Sequence, residues 1–258
     1  MKKILLISLI TSSVFSQTSN IFEPIDLFDL EYVSNTEISP SGDKVLYQRN
    51  YNDIMTDQSF SNIWLINYDG TNNRPITTGN YKDNSPKWSN QGDKFIFQSN
   101  RDSKSQIFLF DLKNNSIQKL TNFQYSIQSI KWSPDDNYIL FSSFIDSKRK
   151  SLIKMPEKPK GAKWNDPPVE ISDLNYRYDS SGYRKPGEVQ FFTIPVSGGT
   201  PRQISNIKPE KRAGQAEWLG NDKIIFSANL NDDSDYNTNN SEIYILSLES
   251  GKHEALTS

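Results

Sequence analysis

The sequence contains no cysteine and only one histidine among its 258 residues. The lack of cysteine excludes disulfides, thiolate metal sites and a lipid-modified N-terminal cysteine. The sequence also lacks a large excess of charge of either sign, because 31 acidic residues nearly balance 29 basic ones and leave a net charge of −2. This balance gives no reason to expect nucleic acid or an anionic membrane as a partner.

Long apolar runs are scarce, and the one extended run lies at the N-terminus. Lys2 and Lys3 precede the mainly apolar segment 4–15, which is the layout of a secretory signal peptide. Because this run is too short to span a bilayer comfortably, we expect residues 1–16 to be a cleaved signal rather than a membrane anchor. Removal of the two lysines changes the net charge from −2 to −4. An exported protein without cysteine suits a bacterial periplasmic or secreted location, and no membrane contact is expected after cleavage.

A short pattern recurs four times along the chain. Each copy combines the end of one strand, a turn rich in Pro, Gly, Asn and Asp, and a second strand that is apolar and β-rich. The copies are Ile38–Tyr47, Trp88–Phe97, Trp132–Phe141 and the shortened Trp218–Phe226. The serine of the first copy lies 50 residues before that of the second, which lies 44 residues before that of the third.

This period predicts an all-β fold, a β-propeller made of about four four-stranded blades. A helical repeat is disfavoured, because the apolar runs are β-branched and aromatic and are separated by turns. We predict a lead-in at 17–37, which includes a short amphipathic helix within Phe22–Leu30, and repeats at 38–258. The blades are expected at about 33–77, 84–121, 127–205 and 213–257.

The third unit is nearly twice as long as the others, since 86 residues separate Ser133 from Leu219. It contains either a degenerate extra blade or an insertion within one blade. We favour the insertion, because 147–187 holds no further copy of the turn and only one closing strand pair follows, at 189–194 and 202–205. Long excursions of this kind are usually functional or exposed.

The units, with Trp-Ser-Pro-x-Gly/Asp followed by Ile-x-Phe and a final Leu-Thr, resemble the propeller repeats of prolyl oligopeptidase family serine peptidases. They are also similar to those of the translocation protein TolB. The segment 168–183 resembles the Tyr-Arg-x-Asp-Gly-x-Gly-Tyr stretch in the third blade of the acylaminoacyl-peptidase and dipeptidyl-peptidase-5-like branch. The strand pair at 192–204 is similar to the one that follows it in that branch, and the resemblance covers 22–258.

This resemblance implies a seven-bladed propeller that admits only short peptides to a following α/β-hydrolase domain. This chain offers four units and no Gly-x-Ser-x-Gly elbow, so a triad cannot be assembled from it. We therefore expect the N-terminal, substrate-gating part of an exported peptidase, truncated before the catalytic domain and inactive alone. The peptide substrate would be bound through the missing catalytic domain. The full-length protein is a possible homo-oligomer. The alternative is a TolB-like, non-enzymatic periplasmic propeller that binds a protein partner.

No catalytic, cofactor-binding or metal-ligating residue is assigned from the sequence. His253 lies in the predicted last strand without a partner residue, which favours a solvated side chain over a general base. The acidic loop Asn231–Asn237 alternates like a Ca²⁺ loop, but Thr238 and Tyr244 replace the required Gly and Glu, so an ordinary loop is expected.

Two further groups of residues are interpreted structurally. The lysine-rich part of the insertion, from Lys148 to Lys163, lacks the interleaved aromatics of a nucleic-acid site and is expected to be a solvated surface. Trp88, Trp132 and Trp218 recur at one repeat position, which indicates packing between blades. Trp164 breaks this register and is a candidate for facing substrate.

Overall fold

The computed structural model describes residues 22–147, 156–165, 170–171, 174–179, 181–208 and 212–257. The predicted signal peptide and the basic residues at 148–150 and 154 lie outside these residues. Within the described part of the chain, no helix has the length and apolar character needed to cross a bilayer.

The lead-in forms a single turn of 3-10 helix at Pro24–Phe28, with Pro24 at its start. The short helix predicted within Phe22–Leu30 is therefore present, but none of its residues is buried, so its apolar side chains do not form a core-facing stripe. Five residues are too few to present an apolar stripe to a core. The amide of Asn52 instead holds the segment, donating a hydrogen bond of 2.9 Å to the carbonyl of Leu27.

Sixteen of the described strands form four antiparallel sheets of four strands, each a blade. The first blade contains β1 (Tyr32–Ile38), β2 (Lys44–Asp53), β3 (Gln58–Asn67) and β4 (Arg74–Pro75). The second blade contains β5 (Asn84–Trp88), β6 (Lys94–Asp102), β7 (Lys104–Asp111) and β8 (Ser116–Lys119).

The third blade contains β9 (Ile127–Trp132), β10 (Tyr138–Asp146), β13 (Gly187–Pro195) and β14 (Arg202–Gln203). The fourth contains β15 (Arg212–Leu219), β16 (Lys223–Asn229), β17 (Glu242–Ser247) and β18 (His253–Ala255). A separate two-stranded hairpin consists of β11 (Arg177–Tyr178) and β12 (Gly182–Tyr183). The all-β propeller predicted from the repeats is thereby confirmed.

The third blade is one sheet interrupted by an insertion. β10 pairs directly with β13, from Tyr138 opposite Pro195 to Asp146 opposite Gly187. The intervening segment 147–186 leaves from and returns to one end of this pair, as the insertion interpretation requires.

The hydrophobic cores lie between neighbouring blades. One cluster joins the first blade to the second through Leu46 and Phe97, and another joins the second to the third through Ile107 and Phe141. A third cluster joins the third blade to the fourth, where Leu140 contacts the fourth blade from the opposite face to Phe141. Successive strand residues point to opposite faces, and because both faces of the inner blades are covered, β6 and β10 contain continuous buried runs.

The recurring turn is held by its serine. The hydroxyls of Ser39, Ser89 and Ser133 accept hydrogen bonds of 2.9–3.2 Å from the backbone N–H five residues later. The turn residue with positive φ is glycine in the first two blades but Asp136 in the third, at φ 56°. Asp136 uses its carboxylate to accept hydrogen bonds from the backbone N–H groups of Asn90 and Gln91 in the second blade, at 2.8 and 3.1 Å.

The tryptophans lie at the junctions between blades, as predicted. The Nε1–H of Trp88 donates to the carbonyl of Glu37, and that of Trp132 donates to the carbonyl of Lys87, at 3.1 and 2.9 Å. Trp218 makes the equivalent contact with Lys131 at 3.4 Å. Each indole therefore binds the first strand of the preceding blade.

The last strand of each blade is fastened by a hydroxyl. A Ser or Thr accepts a hydrogen bond from the backbone N–H of the third-strand residue 14 positions earlier. The donor and acceptor residues, at 2.8–3.0 Å, are Ile63 and Thr77, Ile107 and Thr121, Phe191 and Ser205, and Ile243 and Thr257.

Candidate functional site

The strand directions define two different ends of the propeller. The turns after the first and third strands share one end, here called the turn end. The connections after the second strand share the other, here called the loop end. The loop-end connections are 54–57, Ser103, 147–186 and 230–241, so the longest excursions belong to the third and fourth blades.

The two long excursions meet. The hairpin β11–β12 is closed by a hydrogen bond of 2.7 Å from the backbone N–H of Arg184 to the carbonyl of Tyr176. The side-chain amide of Asn175 donates to the carbonyl of Asp235 at 3.4 Å and joins the hairpin to the fourth-blade loop. The insertion therefore extends the loop end across the junction of the third and fourth blades.

This part of the surface is rich in exposed aromatic rings. Tyr183 is 58% exposed and Tyr236 is 80% exposed, and Tyr178 is also open to solvent. The rings of Tyr176 and Tyr183 lie 6.4 Å apart across the hairpin. Exposed rings with polar tips are common at binding surfaces, which makes the hairpin and the fourth-blade loop the candidate functional site.

A rigid charged pair lies at the loop end of the second blade. Arg101 binds the fully buried carboxylate of Asp83 at 2.6 Å. The guanidinium also lies 5.0 Å from the ring centre of Tyr81 and 5.2 Å from that of Phe108. The second oxygen of Asp83 has no hydrogen-bond partner among the described residues. Because the pair is shielded on several sides, it orders this end of the blade.

The same carboxylate affects a neighbouring phenol in the first blade. Burial raises the pKa of Tyr51, and the negative charges of Asp53 and Asp83 raise it further. Its hydroxyl donates to the carbonyl of Gly79 at 3.2 Å. Tyr51 therefore stays protonated at neutral pH and serves as a hydrogen-bond donor between strand and loop.

The first strands of adjacent blades contact one another and carry opposite charges. The ammonium of Lys87 binds Glu37 at 2.8 Å, and that of Lys131 binds Glu217 at 2.5 Å. These pairs are partly exposed, so each contributes little to stability, on the order of 0–1 kcal/mol. They balance the charge of the surface formed by the first strands.

The residues singled out in the sequence do not gather into one site. His253 lies in β18 as predicted, exposed, with its ring 5.7 Å from that of Tyr244. Trp164 is partly exposed within the described piece of the insertion. The described residues contain no group of three His, Asp or Glu side chains that could hold a metal ion.

Some site residues were missed from the sequence. Asp83 and Arg101 lie 18 positions apart, and Asn175 and Asp235 lie 60 positions apart, so no local pattern links them. A signal did exist for Arg101, since a cation at the end of an apolar strand needs a partner when it is buried.

Comparison with known families gives a match over the repeats. The model of the TolB beta propeller domain matches residues 32–162. The chain belongs to this propeller family.

Individual relatives agree with this fold and are much longer than the matched region. Dipeptidyl-peptidase 5 of Porphyromonas gingivalis is 26% identical over 97 residues, which is 38% of this chain and 14% of that protein. The structure of Pyrococcus horikoshii acylaminoacyl peptidase is 19% identical with a TM-score of 0.65, and the match covers 90% of this chain and 33% of that one. TolB from Acinetobacter baumannii is 14% identical with a TM-score of 0.51, covering 88% of this chain and 44% of that one.

The propeller is thus related both to peptidases of the prolyl oligopeptidase family and to TolB. The resemblance to the propeller portion of these peptidases, inferred from the turn repeats and the third-blade insertion, is confirmed. The chain spans about a third of the length of the acylaminoacyl peptidase that it matches.

Proposed function

We propose that this chain is the substrate-gating propeller of an exported prolyl oligopeptidase family serine peptidase that acts on short peptides. The observation that carries the proposal is the third-blade insertion, whose aromatic hairpin meets the fourth-blade loop at one end of the propeller. The likeness to acylaminoacyl peptidase over 90% of this chain supports the same interpretation.

In this proposal the propeller selects substrate and the chemistry lies elsewhere. Peptide hydrolysis through an acyl-enzyme needs a serine nucleophile, a histidine base and an oxyanion hole. The one histidine, His253, lies on an edge strand with aromatic neighbours, and no Gly-x-Ser-x-Gly is present. Those groups would belong to a hydrolase domain in a longer protein. The tyrosines of β11–β12 would contact the peptide at the rim.

The first test follows the reading frame beyond codon 258. We expect it to continue through further propeller repeats and a Gly-x-Ser-x-Gly elbow. A stop codon at this point in a well-covered genomic sequence would contradict the peptidase proposal.

The second test examines gating in that longer product. Replacement of Tyr176 and Tyr183 by alanine is expected to change the ratio of kcat/KM for a four-residue peptide to that for a twenty-residue peptide. Replacement of Tyr68, an exposed turn-end tyrosine, is the matched control and should leave the ratio unchanged. If the Tyr176 and Tyr183 replacement leaves the ratio unchanged, as the Tyr68 control should, the hairpin does not take part in substrate selection.

Export is a separate element of the proposal. A signal peptide at 1–16 predicts that the mature protein begins at Gln17. N-terminal sequencing of protein recovered from the periplasm or medium checks this, and an intact Met1 on protein retained in the cytoplasm would contradict it.

A TolB-like binder is the second candidate, because the family model that matches is that of the TolB propeller. It predicts a reading frame that ends near residue 258 and a stable complex with another protein. Co-purification from the periplasm with a stoichiometric partner, lost when Tyr183 and Tyr236 are replaced by serine, would favour this function over the peptidase.

A further inference from the structure

A cleft at the turn end, far from the aromatic hairpin, lies between the third and fourth blades. Its volume is about 400 Å³, within the range of roughly 300–1,000 Å³ found for small-molecule sites. Its polar lining consists of Tyr138, Thr193, Thr200, Arg202 and Asn221. Pro195 and Leu248 add apolar surface on either side of the junction.

Thr193 is the unusual member of this lining. It is only 5% exposed, near the end of β13 and opposite Arg202 on β14. No described residue forms a hydrogen bond with its hydroxyl, yet this oxygen is not sealed from solvent as Asp83 Oδ1 is. Because this hydroxyl is reached from the cleft and is not used by the protein, it is free to donate to or accept from a molecule bound there.

Arg202 gives the cleft its charge. One guanidinium nitrogen, Nη2, donates a hydrogen bond of 2.8 Å to the carbonyl of Leu248, which directs this exposed side chain across the blade junction. Arg202 is not among the ion pairs of the described residues, and no acidic side chain lines the cleft. The remaining N–H donors of a guanidinium fit a carboxylate in a bidentate geometry.

We propose that this cleft binds a small monocarboxylate that carries a short apolar group. The carboxylate would accept hydrogen bonds from Arg202 and from the Thr193 hydroxyl, and the apolar group would lie against Pro195 and Leu248. A single guanidinium beside apolar surface suits one negative charge better than a phosphate dianion. The site is independent of the loop-end surface and of the proposed function.

The test is a titration of the ¹⁵N-labelled chain, followed by its amide NMR signals, with N-acetyl-leucine as the probe. Saturable shifts are expected at residues 193, 202 and 221. The neutral N-acetyl-leucinamide should bind at least about tenfold more weakly, because the charge-assisted hydrogen bonds are lost. Inorganic phosphate should not compete. Equal binding of the amide, competition by phosphate, or no saturable shift up to about 10 mM probe would overturn the proposal.

Three variants locate the site. Thr193→Val keeps shape and removes the hydroxyl, and should weaken binding about three- to tenfold. Arg202→Gln should weaken it more than about tenfold. Arg74→Gln changes the arginine opposite Leu65 at the same blade position in the first blade, and should leave the affinity unchanged. If Thr193→Val and Arg202→Gln keep the native NMR spectrum and bind N-acetyl-leucine with unchanged affinity, the probe binds elsewhere on the chain.

Discussion

The two ends of this propeller differ in how closely their connections repeat from blade to blade. At the turn end, the first three blades repeat one set of hydrogen bonds around Ser39, Ser89 and Ser133. At the loop end, the corresponding connections range from the single residue Ser103 to the segment 147–186. Repetition marks the scaffold that every blade needs, whereas variation marks the surface that the scaffold leaves free to specialise.

Even the turn end contains informative exceptions. The fourth turn has Leu219 where the others have serine, and it is one residue shorter. The third turn has Asp136 where the first two have glycine, and its carboxylate binds the neighbouring turn. The Asp136 exception adds a contact between the second and third blades, and in both cases the four-stranded sheet is preserved.

The largest expected effect comes from removing scaffold packing. Phe141 is fully buried and stacks on Phe192 at 5.3 Å. Phe141→Ala should lower the free energy of unfolding by about 3–5 kcal/mol, because a cavity remains between two blades. Tyr183→Ala, at the loop end, should change it by less than about 0.5 kcal/mol. Urea denaturation of both variants measures the contrast, and similar losses would show that the hairpin is part of the scaffold.

The next effect tests the hydroxyl that fastens the last strand of each blade. Thr121 is buried, accepts from the N–H of Ile107 and donates to Gln106 at 2.9 Å. Thr121→Val leaves this N–H without a partner and should cost about 1–3 kcal/mol.

Thr257 provides the matched control, because it makes the same bond to Ile243 at 3.0 Å but is exposed. Water can replace its hydroxyl, so Thr257→Val should cost less than about 0.5 kcal/mol. Equal losses in the two variants would mean that burial does not set the strength of this contact.

The sequence predicted the scaffold well for a physical reason. Because both faces of each inner sheet are buried, residues such as Ile139, Leu140 and Phe141 form apolar runs that recur with every blade. The turn serines and junction tryptophans recur with them. The 14-residue spacing of the hydroxyl contacts was also present in the sequence, but it becomes meaningful only when the third and fourth strands are known to pair.

The candidate surfaces could not be predicted in the same way. The contact between Asn175 and Asp235 joins an insertion to the next blade, and the cleft lined by Thr193 and Asn221 combines two blades. Such juxtapositions depend on how blades are stacked, which no local pattern encodes. In the lead-in the sequence predicted a short helix, which is present, but its apolar residues do not reveal that no core covers them.

A smaller effect separates the two roles of Asp136. Asp136→Gly loses the hydrogen bonds to Asn90 and Gln91 but relaxes the positive φ of 56°, so the net loss should be about 1 kcal/mol. Asp136→Ala loses the same bonds and keeps the left-handed backbone, which should cost roughly 1–2 kcal/mol more. Thermal unfolding should therefore rank the wild type above Gly and Gly above Ala. A more stable alanine variant would show that φ is not the limiting factor.

The smallest effect concerns the charge of the turn carboxylates at low pH. Hydrogen bonds from Ser133 and Asn137 lower the pKa of Asp135, and the contact with Lys44, aided by Ser41 and Ser39, lowers the pKa of Asp43. A carboxylate with a lowered folded-state pKa stabilises the protein above its unfolded pKa, about 3.9, and loses that contribution as the pH falls toward the folded value. The melting temperature should therefore decline below about pH 4.

The variant Asp135→Asn tests this expectation. It keeps the acceptor oxygen for Ser133 and removes the titration of the carboxylate, so the decline of its melting temperature at low pH should be shallower. A decline for Asp135→Asn as steep as that of the wild type would move the acid sensitivity away from this turn.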